Sequence, residues 1–134
     1  MSLDPALIED PYELQKLMGF EIAEWSEGYA RWEMPVTAKI GNRYGIPHAG
    51  VYATLLDTAM GFAGCFTGSR EDRRLAMTLS LTVNFLAQPT GKTLVAEAHV
   101  TGGGRKTFFA EAVISDETGV RLATGTGVFR YRSG

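Results

Sequence analysis

The longest apolar stretch of the chain lies in residues 49–66, where Asp57 is the single charge among 18 residues. This stretch is longer than an ordinary strand. A continuous apolar run of this length is typical of a helix that is buried on most of its sides. We therefore predict one central helix over residues 48–67. Small residues recur in it and would let another layer approach its backbone closely: Ala49, Gly50, Ala53, Ala59, Gly61, Ala63 and Gly64.

The same stretch is at the short edge of the length that can span a membrane. A central aspartate, several glycines and polar flanks on both sides argue against a membrane helix. The chain that follows is amphipathic and needs water on one face. We therefore expect a helix inside a water-exposed fold and no membrane partner.

The period of the pattern changes to two after residue 74. Apolar and polar residues alternate in residues 79–85, as they do in a strand with one buried face. Three later segments also resemble strands, and short turn sequences separate them. Strands joined in this way form an antiparallel meander. The predicted strands cover residues 79–85, 94–101, 107–115 and 121–131, with turns at residues 88–91, 102–105 and 116–119.

The first third of the chain predicts a short helix followed by two strands. In residues 10–19, Asp10 can cap the helix, Pro11 suits its first position and Gly19 can end it. Residues 20–35 then predict two strands around a turn at Glu27-Gly28.

These elements predict an α+β fold. Loops are expected at residues 37–47 and 68–74, and no repeat or linker divides the chain. A single helix that is apolar on most sides needs a sheet that curves around it. We therefore expect one domain, residues 1–134, with an antiparallel sheet wrapped around one long central helix.

Composition excludes several classes of protein. The net charge of -2, with both signs mixed, does not fit the basic surface of a nucleic-acid binder. The single cysteine, Cys65, cannot form an internal disulfide or build a zinc site, and a cytoplasmic location is the simplest interpretation. The N-terminus lacks the pattern of a signal peptide. Common nucleotide, zinc and serine-hydrolase motifs are also missing from the sequence, so we expect no metal and no cofactor.

Asp57 is the first candidate for chemistry, because a buried carboxylate without a partner is costly. It either forms a structural salt bridge or helix contact, or acts as a general base or nucleophile tuned by burial.

The start of the predicted helix is the second candidate. The first backbone N–H groups of a helix are unpaired and lie at the positive end of its dipole, so the turn at residues 45–50 could form an oxyanion hole. Ala49 and Gly50 would leave this backbone open to a ligand; packing alone is the alternative. Asp57 lies nine residues beyond His48, or about 13 Å along a helix. Asp57 and the helix start could therefore act on one substrate only from different subunits, which predicts a symmetric dimer.

Other polar residues have weaker signals. Asn42 could orient a water or a substrate oxygen, or simply form a turn. His48 suits a hydrogen-bonding role better than proton transfer, and Thr78 could hold a water or have no role. Arg105 and Lys106, on a glycine-rich turn, could contact phosphates or be solvated.

Residues 42–61 resemble the signature of the PaaI-type hotdog thioesterases, which belong with the 4-hydroxybenzoyl-CoA thioesterase superfamily. The pattern has an Asn, a Gly, then His-Gly-Gly, and an Asp nine residues after the His. The spacing of Asn42, His48 and Asp57 matches it. The strand near residues 77–86, the Gly104-Arg105 pair and the turn at residues 116–119 also match, so the resemblance covers about residues 15–131.

The resemblance implies the hotdog fold, acyl-CoA substrates, and homodimers with shared sites that often pair into tetramers. Asp57 would correspond to the catalytic carboxylate, and Ala49 to the residue whose N–H polarises the thioester carbonyl. Asn42 and His48 would assist from that subunit, and Thr78 would position water. Gly50, Arg105 and Lys106 would lie at the CoA. The family usually has Gly where this chain has Ala49, which affects rate and substrate range more than reaction type.

Two alternatives remain at this point. A hotdog dehydratase or hydratase would use a His with an acid, and a non-catalytic module would bind acyl-CoA without turnover. The acyl group is open, since Tyr52, Phe62, Phe66 and Phe85 could line an arylacetyl or a fatty-acyl pocket. The role of Asp57 as base or nucleophile is open as well.

Overall fold

The computed structural model describes residues 3–132 and contains one long helix packed against a six-stranded antiparallel sheet. The helices are α1 (Glu13–Met18) and α2 (Ala49–Ala63), with short 3₁₀ turns at Pro5–Leu7 and Ala38–Ile40. The strands are β1 (Glu21–Ser26), β2 (Tyr29–Pro35), β3 (Ala76–Phe85), β4 (Thr93–Gly103), β5 (Thr107–Asp116) and β6 (Arg121–Tyr131).

The strands lie in the order β1-β2-β4-β5-β6-β3, and every neighbouring pair is antiparallel. The predicted meander of the last three strands is confirmed. The predicted hairpin before it is also confirmed, with Gly28 in the left-handed conformation at φ 71°. Because β3 pairs with β6 and with no other strand in residues 3–132, it forms one edge of the sheet.

Helix α2 contacts all six strands, so the sheet curves around it as predicted. Leu55, Leu56 and Met60 are fully buried there, and burial of each such side chain stabilises the fold by roughly 2 kcal/mol. The sheet also needs small residues where it meets the helix. A Cβ on Gly125 of β6 would lie 3.2 Å from Leu56 Cδ1, so this glycine allows the close approach.

Helix α2 ends at Ala63, four residues before the predicted end at residue 67. Gly64 caps it, and the ring of Phe108 on β5 lies where a Cβ on residue 64 would be. The helix therefore ends where an aromatic ring of the sheet packs on its last turn, a long-range contact that the local pattern does not contain.

Helix α1 begins at Glu13 with Tyr12 as its N-cap residue, so the predicted roles of Asp10 and Pro11 at its start are wrong. The carboxylate of Asp10 instead lies 3.8 Å from the Arg70 guanidinium. The predicted end is confirmed, because Gly19 adopts a left-handed conformation at φ 86°.

Strand β3 contains the predicted residues 79–85 and begins three residues earlier, at Ala76, but it is less buried than its alternating pattern predicts. Leu79 is 55% exposed and Phe85 is 54% exposed, because nothing among residues 3–132 covers this edge. A register shift between Thr78 and Ser80 also interrupts the alternation. The predicted turn at residues 102–105 is shorter than expected, since β4 continues to Gly103.

Candidate active site

Asp57 lies on α2, is partly buried, and accepts a hydrogen bond from the Thr78 hydroxyl with an Oγ1–Oδ1 distance of 2.6 Å. Thr78 comes from the start of β3, which runs beside the helix. Among residues 3–132, Asp57 forms no ion pair with a cationic side chain. The structural salt bridge considered from sequence is therefore not found in the described chain, and the carboxylate keeps acceptor capacity for another group.

A cavity of about 310 Å³ opens beside Asp57 and Thr78. Its apolar wall comes from Trp25, Phe62 and Phe129, whereas Arg73 and Arg74 contribute polar groups. Cys65 also borders the cavity, and burial raises the pKa of its thiol to about 11. Cys65 is therefore protonated at neutral pH and is a poor nucleophile there.

The start of α2 is capped by the side chain of His48. Its Nδ1 accepts a hydrogen bond of 2.8 Å from the Gly50 N–H, and a Cβ on Gly50 would lie 3.1 Å from that nitrogen. The Val51 N–H donates to the His48 carbonyl. Within residues 3–132 the Ala49 N–H has no acceptor, and Ala49 is exposed. Of the predicted donors at this helix start, Ala49 is thus free, whereas the N–H of Gly50 is occupied.

Asn42 shapes the loop before α2. Its side-chain oxygen accepts hydrogen bonds from the backbone N–H groups of Tyr44, at 2.8 Å, and of Ile46, at 3.4 Å. This is the turn-forming role considered from sequence. Because the oxygen faces these donors, the Asn42 amide NH₂ is the group left to meet a ligand.

A second cavity of about 430 Å³ lies at the helix start, where Asn42 and Ala49 border it with Tyr52 and Phe85. It shares no lining residue with the Asp57 cavity. Of the aromatic residues predicted at a pocket, Phe62 thus lines the first cavity, and Tyr52 and Phe85 line the second. Phe66 contacts Trp25 instead, with ring centroids 5.6 Å apart.

The two cavities lie at opposite ends of the edge strand β3. Ala76 and Thr78, at its start, line the Asp57 cavity. Phe85, at its end, and Leu86, just beyond it, line the helix-start cavity. Within one chain, the Asp57 carboxylate and the free Ala49 N–H therefore lie in two separate half-sites that do not meet.

Arg105 and Lys106 are exposed in the turn between β4 and β5, and neither lines the two cavities. The sheet register nevertheless places this turn at the Asp57 end. Thr107 of β5 pairs with Arg130 of β6, which in turn pairs with Met77 of β3.

The sequence did not indicate that the N-terminal segment and the loop after α2 would reach Asp57. Glu9 and Tyr12 border the Asp57 cavity, and Glu9 is held there by Arg73 at 3.0 Å. Burial raises the pKa of Tyr12, and the Asp57 carboxylate adds to this effect. These contacts join distant parts of the chain, and local patterns do not carry such information.

The part of the chain that the structure describes contains no group of three or more His, Cys, Asp or Glu side chains that could hold a metal ion. None of the helices within residues 3–132 is long and apolar enough to cross a membrane.

The thioesterase superfamily model matches residues 44–123, more than half of the chain. Acyl-coenzyme A thioesterase PaaI of Escherichia coli is 33% identical over 113 residues, which cover 82% of this chain and 77% of PaaI. Its solved structure superposes with a TM-score of 0.78 at 26% identity and covers 90% of this chain and 85% of that one.

Two further relatives extend the comparison. The 1,4-dihydroxy-2-naphthoyl-CoA hydrolase of Listeria monocytogenes is 30% identical over 105 residues, 78% of this chain and 84% of the hydrolase. The BH2602 protein of Bacillus halodurans, solved with CoA, has a TM-score of 0.77 and 28% identity and covers 90% and 79% of the two chains. The chain therefore belongs to the thioesterase superfamily, as a thioester hydrolase of the PaaI type with the hotdog fold.

Proposed function

We propose that the protein hydrolyses an acyl-CoA thioester to a free acid and CoA at a site shared by two subunits. Asp57 and Thr78 of one subunit face the Ala49 N–H of the partner subunit across the thioester. The observation that carries this proposal is the location of the two half-sites in separate cavities at opposite ends of β3. Each half is incomplete in one chain.

An exposed edge strand offers a direct way to join the halves. Unpaired backbone groups on such an edge pair readily with another chain, and Leu79 and Phe85 would be covered in the process. In an antiparallel pairing of two β3 strands about a twofold axis, the start of one strand lies beside the end of the other. The Thr78 end of one subunit then meets the Phe85 end of its partner, and two equal sites form.

The helix start would stabilise the charge that develops on the thioester oxygen. The free Ala49 N–H lies at the positive end of the α2 dipole, as an oxyanion donor requires. Because the donor is a backbone group, alanine supplies it as glycine would.

Asp57 then acts in one of two ways. As a general base it takes a proton from a water that attacks the carbonyl carbon; the C–S bond breaks and the proton passes to the CoA thiolate. As a nucleophile it forms an acyl anhydride with release of the thiolate, and water then hydrolyses the anhydride. Thr78 donates to Asp57, so its oxygen lone pairs remain to position the water.

The cap at His48 favours hydrolysis over the hydratase alternative. Since Nδ1 accepts the Gly50 N–H, the neutral ring carries its proton on Nε2. The outer nitrogen is thus a donor that can assist a carbonyl, whereas a hydratase needs a base there.

Other features of the proposal follow from the relatives. A PaaI enzyme that acts on acyl-CoA and a BH2602 structure that contains CoA support CoA as the carrier. Arg105 and Lys106 lie at the Asp57 end of the sheet and would contact the CoA phosphates. We further propose that dimers pair into tetramers in the cytoplasm and that the reaction needs no cofactor or metal beyond the CoA of the substrate.

A complementation experiment tests the shared site. Ala49→Pro removes only the proposed N–H donor, because proline suits the first helical position and His48 already has the extended backbone that precedes proline, with φ -65° and ψ 142°. Asp57→Asn removes the carboxylate. Each variant alone should lose at least about 100-fold in kcat for CoA release.

Co-expression of the two variants with different tags, followed by tandem purification, yields assemblies that contain both variants, and each mixed dimer within them has one intact site of two. These dimers should regain about half of the wild-type activity per dimer. Activity no higher than that of either parent variant would contradict a shared site. Failure of the folded wild type to release CoA from any of a panel of aryl-, short- and medium-chain acyl-CoAs would instead favour a binding module.

A further inference from the structure

A third cavity adjoins the Asp57 cavity. It has a volume of about 560 Å³ and lies between the N-terminal segment with α1 on one side and β1 and β2 on the other. Four residues border both spaces and form the wall between them: Glu9, Tyr12, Trp25 and Phe62.

Three of the four wall residues are held in place. The Trp25 indole N–H donates to the Phe62 carbonyl at 2.8 Å, and the two rings lie 5.2 Å apart. Glu9 forms an ion pair with Arg73 at 3.0 Å. These three side chains therefore form a fixed part of the wall.

Tyr12 is the fourth wall residue, and its setting differs. It precedes α1 on the N-terminal segment, is 43% exposed, and contacts the Phe20 ring edge-on at 6.0 Å. It lines the Asp57 cavity together with Asp57 and Thr58. Tyr12 is thus the part of the wall that projects from a surface segment toward the reacting carboxylate.

Apolar side chains form part of the lining of the space behind this wall. Ile8 and Ile22 contribute apolar surface that is still accessible, beside the almost fully buried rings of Phe20 and Trp32. An acyl chain that passed Tyr12 would exchange water for these apolar surfaces, which is favourable for each added methylene.

We propose that Tyr12 limits the length of the acyl group. With tyrosine at this position the site accepts an aryl or short acyl group in the aromatic Asp57 cavity and excludes longer chains from the cavity behind it. The inference rests on the proposed thioesterase function, and it names the substrate class of that site.

The test compares wild type, Tyr12→Ala and Tyr12→Phe with benzoyl-CoA and decanoyl-CoA. The measured quantity is the ratio of kcat/KM for decanoyl-CoA to kcat/KM for benzoyl-CoA, taken on one preparation so that partial loss of folded protein cancels. Tyr12→Ala should raise this ratio about 10-fold or more, because several methylenes gain an apolar pocket. Tyr12→Phe keeps the ring and should leave the ratio within about 3-fold of wild type.

An unchanged ratio in Tyr12→Ala would overturn the proposal. An equal rise in Tyr12→Phe would also overturn it, because the hydroxyl rather than the bulk of the ring would then set the limit.

Binding of the non-hydrolysable thioethers S-phenacyl-CoA and S-decyl-CoA, measured by calorimetry on the same three proteins, separates this inference from the proposed function. The ratio of the two Kd values should shift in Tyr12→Ala toward S-decyl-CoA by about 10-fold. Such a shift without any turnover by wild type would sustain the length limit and refute hydrolysis. Turnover by wild type with no shift in either ratio would support hydrolysis and refute the length limit.

Discussion

Asp57 and Asp116 are two aspartates of the chain with contrasting surroundings. Asp116, at the end of β5, is 3% exposed, and each of its carboxylate oxygens accepts three hydrogen bonds. The donors are backbone or hydroxyl groups of Thr90, Gly91, Thr118 and Val120. Asp57 is partly buried beside a cavity and accepts one hydrogen bond within the described residues, from Thr78.

The difference shows how the same side chain can serve structure or chemistry. A carboxylate whose lone pairs are all occupied ties segments together, and Asp116 joins the turn after β5 to the loop before β4. These donors, the Thr118 hydroxyl first and the backbone N–H groups of Gly91, Thr90 and Val120 after it, hold the pKa of Asp116 well below its ordinary value. A carboxylate with free lone pairs at a cavity can accept a proton or attack a substrate.

The largest expected effect comes from Asp57→Asn. The amide keeps the shape of the side chain but cannot act as base or nucleophile, so kcat for CoA release should fall by roughly 1,000-fold. Because the asparagine oxygen can still accept the Thr78 hydrogen bond, the thermal midpoint of unfolding should stay the same or rise. A CoA-release assay with a thiol reagent measures kcat, and differential scanning calorimetry measures the thermal midpoint. A variant that retained a tenth of wild-type kcat would contradict the catalytic role.

The matched substitution Asp116→Asn should have the opposite profile. The new NH₂ group cannot accept, so one set of three donors loses its partner, and the midpoint of thermal unfolding should drop by several degrees. At a temperature where the variant is folded, kcat should change by less than about 10-fold. A larger loss of kcat in Asp116→Asn than in Asp57→Asn would show that the two roles are assigned to the wrong residues.

The sequence identifies Asp57 as a candidate for chemistry, but it does not reveal the hydrogen bonds of Asp116. Asp57 stands out as the single charge of an apolar run, and the spacing of Asn42, His48 and Asp57 matches the thioesterase pattern. The sequence indicates Asp116 only as part of a turn, because its donors at Thr90 and Gly91 lie about 25 residues away in the chain.

The same distinction between local sequence and distant contacts applies to the fold. The local sequence contains a period of two and short turns for the later strands, and a long continuous apolar run for the central helix. The end of α2 at Gly64 depends on the Phe108 ring, and the approach of Tyr12 to Asp57 depends on how the N-terminal segment packs. Such contacts arise from tertiary packing, so sequence periodicity does not reveal them.

Removing the hydroxyl that donates to each carboxylate should have a smaller effect than replacing the carboxylate, and it tests the same contrast between Asp57 and Asp116. Thr78→Val removes the hydrogen bond to Asp57 and should lower kcat about 10-fold, with Thr78→Ser restoring most of it. Thr118→Val removes a hydroxyl donor from Asp116 and should lower the unfolding midpoint by a few degrees without loss of kcat. Equal kcat in Thr78→Val and wild type would exclude Thr78 from positioning water.

The smallest effect is the pH dependence of stability that Asp116 contributes. Its folded pKa lies below the ordinary value of 3.8, so in acid the unfolded chain takes up the proton before the folded one does. The stabilisation is therefore fully present above about pH 5 and declines as pH falls through 4 toward the folded pKa. Urea midpoints of wild type and Asp116→Asn, measured between pH 6 and pH 2, should differ most at pH 6 and converge in acid. A constant difference across that range would mean that the hydrogen bonds at Asp116 stabilise the fold independently of its charge.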